Sequence, residues 1–313
     1  MIENFRKILK VLFRRKGGTT AYRYRLKDDS ANFAEQAKIL KERLKNKNEV
    51  FTGWPGIIYS EKENKALLTQ IEKKKIPVLP YKVDKNEYEK FLLKINYKKK
   101  YPRYYSFNFP EKTLEHFVAF KLLNLKTGDK FIDIAAEQSP HSREYSRLTG
   151  CIGYKQDIMF RPGIYGKKIG GDAGEIPVTD DFFQGALAAC SIEHFEKDSD
   201  TRFMEEMSRI LSKGGKIVIL PLYLHKSPFC LTDPRYSLPG DVEFDAGIDI
   251  YCVQDFQNRH GRYYSPDTLS QRLIEPNKSR MNFALYYIEN FKEMDESNYC
   301  RFALMGEKIV NTR

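Results

Sequence analysis

Three aspartates and three histidines stand out by where they fall. Asp133, Asp157 and Asp172 each close or follow a short apolar run, FIDI, IGYKQD and KIGGD. An ionised carboxylate at the end of a strand accepts several hydrogen bonds and suits hydroxyl or amino groups. His194 and His225 follow the apolar runs GALAAC and KIVILPL, and His260 sits in the long segment before the last apolar pair. Imidazole changes charge near neutrality and is the usual general base. We rank His260 and His194 above His225, because a substrate cap is expected around residue 260 and a pocket at the strand ends. A lone aspartate after a strand is ordinarily a turn former, and a lone histidine is ordinarily structural; the spacing of the series is what points to a site.

The elements that must position these residues are legible from periodicity. Pro110 opens a helix in which Leu114, Phe117, Val118 and Leu122 repeat at helical spacing, closing near Gly128. A strand over 130–134, a helix over 140–148, a strand near 151–155, a short strand ending at Asp172, a strand over 185–190, a helix over 200–211 and a strand over 216–222 follow. Strands alternating with helices at this spacing imply a parallel sheet covered on both faces, in which ligands bind beyond the carboxyl ends of the strands. FALYYIEN (283–290) and YCRFALMGEK (299–308) read as an antiparallel pair closing the sheet. Earlier in the chain, 30–45 reads as a helix, 54–56 as a turn and 75–83 as a strand with proline at its edges.

Charge is divided unevenly. Residues 1–110 hold 27 Lys and Arg against 12 Asp and Glu, a balance of +15, so the other two thirds carry −4 of the total of +11. Residues 2–16 read as a basic amphipathic helix, with Ile2, Phe5, Leu9, Leu12 and Phe13 on one side and Arg6, Lys7, Lys10 and Arg14 on the other. Such a helix can lie on an anionic membrane surface or dock on the protein body. No run of 18 apolar residues and no secretory signal is present, and the five cysteines have no metal-ligand spacing, so we expect a cytoplasmic protein with reduced thiols and no metal.

The ordered series Asp133, Asp157, Gly171-Asp172-Ala173, Cys190-Ser191-Ile192-Glu193-His194-Phe195 and Leu211-Ser212-Lys213-Gly214-Gly215 resembles the class I, Rossmann-like, S-adenosylmethionine-dependent methyltransferases over about residues 110–310. The run Asp133-Ile134-Ala135, with Ser139-Pro140, is similar to a bacterial subgroup whose first motif reads D-I-A-S-x-x-S-P in place of the glycine-rich form; Ala136 departs from it. Further runs resemble the same subgroup, among them Gln156-Asp157, Pro162-Gly163-Ile164, Leu220-Pro221-Leu222-Tyr223-Leu224 and Asn258 to Tyr264. The resemblance implies an α/β fold with a doubly wound, mostly parallel, seven-stranded sheet and an antiparallel C-terminal strand, preceded by a smaller basic N-terminal region expected to be α/β or helical. It divides the chain into a helix at 1–20, an accessory region at 21–108 and a methyltransferase-like domain at 109–313 with a cap over about 223–282.

It also implies roles. S-adenosyl-L-methionine is the cofactor. Asp133 orients the first turn or meets the cofactor's amino group, Asp157 takes the ribose hydroxyls, Asp172 takes the adenine amino group, and Ala173 leaves room for the ring; Ser191 belongs to the same rim. Ala135 admits a ligand near the backbone but disfavours positive φ, so the turn is expected to use ordinary dihedrals. Ser139 is expected as the helix N-cap with Pro140 at the first helical position. Glu137 meets the ammonium or sulfonium, or is a solvated loop carboxylate. Glu193 positions substrate or caps the following turn. Arg259 and Arg262 hold an anionic acceptor or form rim ion pairs, and Tyr264, with Tyr251, Phe256 and Tyr263, walls a sugar or packs.

The leading reading is methylation of oxygen on a sugar or lipid-linked surface glycan by an enzyme peripheral to the inner face of a membrane. An RNA methyltransferase, drawing on the basic third, is a second reading; no RNA-binding module or Asn-Pro-Pro-Tyr-like run supports it. A non-catalytic scaffold that has lost its cofactor with the missing glycines is a third. The sequence says nothing of oligomeric state.

Overall fold

The computed structural model describes residues 30–56, 60–104 and 108–310, so the amphipathic stretch at 2–16 lies outside the described residues. Helix α1 (Ser30–Leu44) places Phe33, Ala37, Leu40 and Leu44 on one stripe, buried against Val50, Cys230, Ile250 and Cys252. Strand β1 (Val50–Thr52) follows, then helix α2 (Glu61–Lys73), whose start is fixed by a reciprocal cap between Ser60 and Glu63. Strand β2 (Val78–Tyr81) holds Pro80, which an edge strand tolerates because one side of its backbone needs no donor. Helices α3 (Lys85–Ile95) and α4 (Phe109–Leu123) come next.

The remaining elements are β3 (Lys130–Ile134), α5 (His141–Thr149), β4 (Ile152–Asp157), β5 (Gly163–Tyr165), β6 (Lys168–Gly170), β7 (Phe183–Ala189), α6 (Ser199–Ile210) and β8 (Leu211–Leu220). They are followed by β9 (Phe229–Thr232), β10 (Asp249–Cys252), β11 (Gly261–Tyr263), β12 (Met281–Ile288) and β13 (Phe302–Lys308). The large sheet runs β2-β12-β13-β8-β7-β3-β4-β6-β5. Its centre is parallel, β13 is antiparallel to both β8 and β12, and β5 turns back on β6. The seven strands expected are present in the order of a doubly wound sheet, with β2 added at one edge and β5 at the other. β5 lies in a Gly-Ile-Tyr stretch too short for alternation to announce it.

A second sheet of four strands, β1-β10-β9-β11, stands over the carboxyl ends of the first. β1 and β2 thus tie residues 50–81 into both sheets. One face of the large sheet is covered by α6, whose Phe203, Met204, Met207 and Ile210 pack on Ile132, Ile134, Ile217 and Ile219. The other is covered by α4, through Leu114, Phe117 and Val118 on Leu187, Val218 and Leu220. Each such side chain contributes roughly 1.5–3 kcal/mol by leaving water. α4 also buries Glu111, Thr113, Glu115 and His116, so its first half is enclosed nearly all round and brings polar groups to the rim of the sheet.

Candidate functional site

The loop between β3 and α5 keeps a glycine-like backbone without glycine. Ala135 has φ +50° and Glu137 φ +32°, which corrects the expectation of ordinary dihedrals. Left-handed geometry at a non-glycine residue costs on the order of 1–2 kcal/mol, so neighbours must impose it. They do so from β4: Gln156 accepts from Ala135 N at 3.2 Å through Oε1 and donates to the Gly171 carbonyl at 2.6 Å, while its own carbonyl takes Ala136 N at 2.9 Å. Asp157 Oδ2 accepts from Glu137 N at 2.8 Å, and Lys155 Nζ donates to the Ser139 carbonyl. Gln156 is therefore the staple between the loops after β3 and β6, a positioning role its place beside Asp157 did not disclose.

Asp133 is spent on the turn. Its Oδ2 accepts from Ser139 Oγ at 2.6 Å, and His141 Nδ1 lies 3.3 Å from Oδ1, all three groups buried. Ser139 is not the N-cap: Pro140 takes that position, and Ser139 Oγ instead accepts from His141 N at 3.2 Å. Asp157 Oδ1 also accepts from Met159 N at 2.8 Å; two backbone donors leave about two of a carboxylate's four acceptor positions open. Asp172, half exposed, accepts from Gly174 N at 2.8 Å and from Arg202 at 3.2 Å, and Ala173 beside it is buried. Register places the three aspartates at the carboxyl ends of adjacent strands, with Asp133 opposite Lys155 and Asp157 opposite Gly170. Glu137 presents its side chain at the exposed rim.

Between the loops after β3 and β7 lies a buried polar group that the sequence did not reveal. Cys190 donates to Glu115 Oε2 at 3.0 Å, Tyr104 reaches Ser139, and the ring of His116 meets His141 edge-on at 3.7 Å. Burial, with Glu111 next, pushes the Glu115 carboxyl well above its usual range. Burial likewise holds His116 well below its usual value, so it is neutral. Ser191 Oγ and His141 Nε2 are buried with no protein partner.

Beyond β7 a cavity of about 610 Å³ opens between the two sheets, lined among others by Trp54, Glu193, His194, Tyr223, Asp255, Phe256, Asn258 and Tyr263. His194 and His260 lock the loop after β7 to the segment before β11. His194 Nδ1 meets the His260 carbonyl at 2.5 Å, and His260 Nδ1 meets the Glu193 carbonyl at 2.9 Å. A carbonyl can only accept, so each Nδ1 carries the proton, and His194 is left with a basic Nε2 facing Asn258 Nδ2 at 3.3 Å and Glu193 Oε1 at 3.6 Å. Glu193 Oε2 is buried without a partner, and burial raises its carboxyl against the pull of His194.

Other expected residues lie elsewhere. His260 is 1% exposed, and burial, with Arg262 next, drives it down to about 3, so it orients His194 and Glu193 and does not accept protons itself. His225 faces a different cavity, with Nδ1 on the Ser227 carbonyl at 2.8 Å. Arg259 pairs with Glu196 at the rim. Arg262 is buried, 2.9 Å from Asp200 and 3.1 Å from Asp245, while Tyr264 donates to Asp200 at 2.7 Å. Arg262 and Tyr264 thus latch the small sheet to α6 and do not line the cavity. Among the described residues no group of three or more His, Cys, Asp or Glu side chains is arranged to hold a metal.

Residues 121–219 match the family model described as a methyltransferase domain. That stretch is about a third of the chain and runs from the last turn of α4 to the end of β8, taking in all three aspartates, Glu193 and His194. No curated protein matches the chain. Among solved structures it is similar to the 1,6-didemethyltoxoflavin-N1-methyltransferase of Burkholderia thailandensis, at 12% identity over 75% of this chain and 94% of that one, with a TM-score of 0.43. It is also similar to S-adenosylmethionine-dependent methyltransferases of Mesorhizobium loti (14% identity, 62% and 97% covered, TM-score 0.41) and Methanosarcina mazei (14%, 60% and 95%, 0.39). Likeness at this level carries no weight for the acceptor. The matched stretch is a methyltransferase domain set in the doubly wound sheet, and S-adenosyl-L-methionine is the cofactor that the sequence resemblance implies for it.

The rim fits that cofactor. Asp157 keeps acceptor positions for two hydroxyls, and the neighbouring Ile158 and Met159 are 72% and 71% exposed, apolar faces against which a base can lie. Ser191 Oγ and His141 Nε2 are orphaned polar atoms on the same edge.

Proposed function

We propose that the protein methylates a hydroxyl oxygen of a neutral sugar unit, within a surface glycan. The observation that carries this is the lining of the 610 Å³ cavity: Glu193, His194, Asp255, Asn108, Asn258 and five aromatic rings, and, among the described residues, no lysine or arginine. A phosphorylated or nucleic-acid acceptor would bring anions to two carboxylates, and Arg259 and Arg262, expected to meet such charge, are engaged by Glu196, Asp200 and Asp245. Amides, an imidazole and ring faces are instead the complement of a hydroxylated ring. The basic N-terminal sequence fits an acceptor presented at an anionic membrane surface; no described helix is long and apolar enough to cross one.

When bound, S-adenosyl-L-methionine supplies an electrophilic methyl group on a sulfonium. His194 Nε2 takes the proton of the acceptor hydroxyl as its oxygen–carbon bond forms. The imidazolium so produced is stabilised by the His260 carbonyl on Nδ1–H and by Glu193, whose carboxyl ionises more readily beside a cation. Tyr223, Tyr263 and Phe256 hold the ring and keep water from the reacting atoms. Asp157, with Gln156, holds the loop after β3 in its left-handed form, so both binding and alignment depend on it.

Calorimetry with S-adenosylhomocysteine tests the cofactor end. The wild type binds, and Asp157→Ala binds at least about tenfold more weakly, a loss of roughly 1.4 kcal/mol. Absence of binding to the wild type would support a scaffold, and equal affinity of the two would remove Asp157 from the site.

A further inference from the structure

His225 does not reach the cavity that holds His194, and the place it does reach has the makings of a site. A second cavity, of about 430 Å³, lies between α2 and the segment after β8. Both volumes fall in the range of small-molecule sites. Asn64 and Gln70 from α2, His225, Asp249, Tyr251 and Arg301 supply its polar atoms. Asn64 and Arg301 are each 8% exposed and bonded to each other, so this wall is fixed in advance. Its formal charges balance, Glu63 and Asp249 against Lys226 and Arg301, which favours neither an anion nor a cation.

The two cavities adjoin. Pro55 lines both. Their common wall is a run of rings: Phe51 stacks on Tyr251 at 5.1 Å and 23°, Tyr251 meets Phe229 at 5.5 Å, Phe229 stacks on Tyr263 at 4.3 Å and 17°, and Tyr263 meets Tyr223 at 5.0 Å. Tyr223 and Tyr263 face the His194 cavity, and Phe229 and Tyr251 the His225 cavity. At the crossing point Trp54 is 59% exposed, a large apolar face left in water beside two polar cavities, while Phe51 backs Tyr251 from outside both. Aromatic faces next to amide, imidazole and carboxylate groups are the combination that binds pyranose rings, whose C–H faces stack while their hydroxyls bond at the edge.

We propose that the Asn64–Gln70–His225–Tyr251 cavity is a second acceptor subsite, which holds a neighbouring neutral sugar unit of an extended glycan while the unit to be methylated lies against Glu193 and His194. This rests on the sugar reading above and adds that the acceptor is an oligomer spanning the Trp54–Pro55 crossing. It gives His225 a binding role in place of a catalytic one.

The chain has a single tryptophan, and it stands at the crossing, so its emission reports occupancy without a label. The probes are methyl glycosides of common neutral hexoses and N-acetylhexosamines with the corresponding di- and trisaccharides, added to full-length protein saturated with S-adenosylhomocysteine. Transfer from labelled S-adenosyl-L-methionine is measured in parallel. We expect at least one series in which trisaccharide shifts Trp54 emission at tenfold or more lower concentration than the monosaccharide. In that series His225→Ala and Gln70→Ala, both lining the second cavity, each lower the trisaccharide-to-monosaccharide ratio of kcat/KM by tenfold or more, chiefly through KM. Equal response to mono- and trisaccharide, or an unchanged ratio in both variants, overturns the second subsite and leaves the sugar reading standing. No response and no transfer with any saccharide, while S-adenosylhomocysteine still binds, overturns both.

Discussion

Ala135 is the residue where sequence and geometry pull hardest against each other. At φ +50° a methyl side chain crowds the following carbonyl, and glycine would relieve the strain. Ala135→Gly is therefore expected to stabilise the protein by up to about 1 kcal/mol in denaturant unfolding, since removal of the left-handed cost outweighs the added freedom of the unfolded chain. A loss of the size ordinary for alanine-to-glycine changes would show that the loop does not hold this conformation. The missing glycines were visible in the sequence, but not their consequence. Alanine's preference argued for ordinary dihedrals, and the restraint that overrides it comes from Gln156 and Asp157, some twenty residues away and on another strand. Likewise Asp133, Asp157 and Asp172 could be placed at one rim by spacing alone. That Asp133 would be taken up by Ser139 and His141 depended on a turn whose shape the sequence does not state.

At the scale of elements, the central strands and α4, α5 and α6 follow the sequence periods closely, because burial on one stripe or both faces leaves a pattern. The small sheet leaves almost none: β9, β10 and β11 are three or four residues each, and their partners come from β1 and from one another. Arg262 and Tyr264 in and beside β11 looked like substrate residues for the same reason, since nothing local signals that Asp200 of α6 is waiting for them. Although burial pushes Asp200 up, bonds from Arg272 and the charges of Arg262 and Arg272 hold its carboxyl below the usual range. Asp200→Asn leaves the buried Arg262 and the partly exposed Arg272 short of charge and should cost about 3–5 kcal/mol by chemical denaturation. A cost below about 1 kcal/mol would mean the latch is not closed. His260 adds a pH dependence of defined sign. Its folded value of about 3 lies below the 6.5 ordinary for histidine, so unfolding takes up a proton between those limits and stability falls as pH drops from 6.5 towards 3. His260→Gln should flatten that part of the profile; an unchanged slope would contradict a buried neutral imidazole.

Across the whole molecule, the parallel sheet carries three aspartates at one rim and the small sheet roofs the 610 Å³ cavity beyond β7, so on the proposed reading donor and acceptor ends are set by two different layers. The first layer was legible because each of its carboxylates closes or follows a short apolar run. The second was not, since the cavity is assembled from Trp54, Asn108, Tyr223, Phe256 and Tyr299, residues scattered over most of the chain. Charge follows the same division, with the basic excess ahead of residue 110 and the acidic Glu193 and Asp255 at the cavity. The most direct test of the account is transfer of labelled methyl groups from S-adenosyl-L-methionine to glycan, RNA and protein fractions of cells lacking the gene, with wild type and His194→Ala side by side. The account predicts an O-methylated sugar in the glycan fraction, formed about 10²–10⁴-fold more slowly by the variant. Label in RNA or protein instead, or equal rates for the two enzymes, would contradict it.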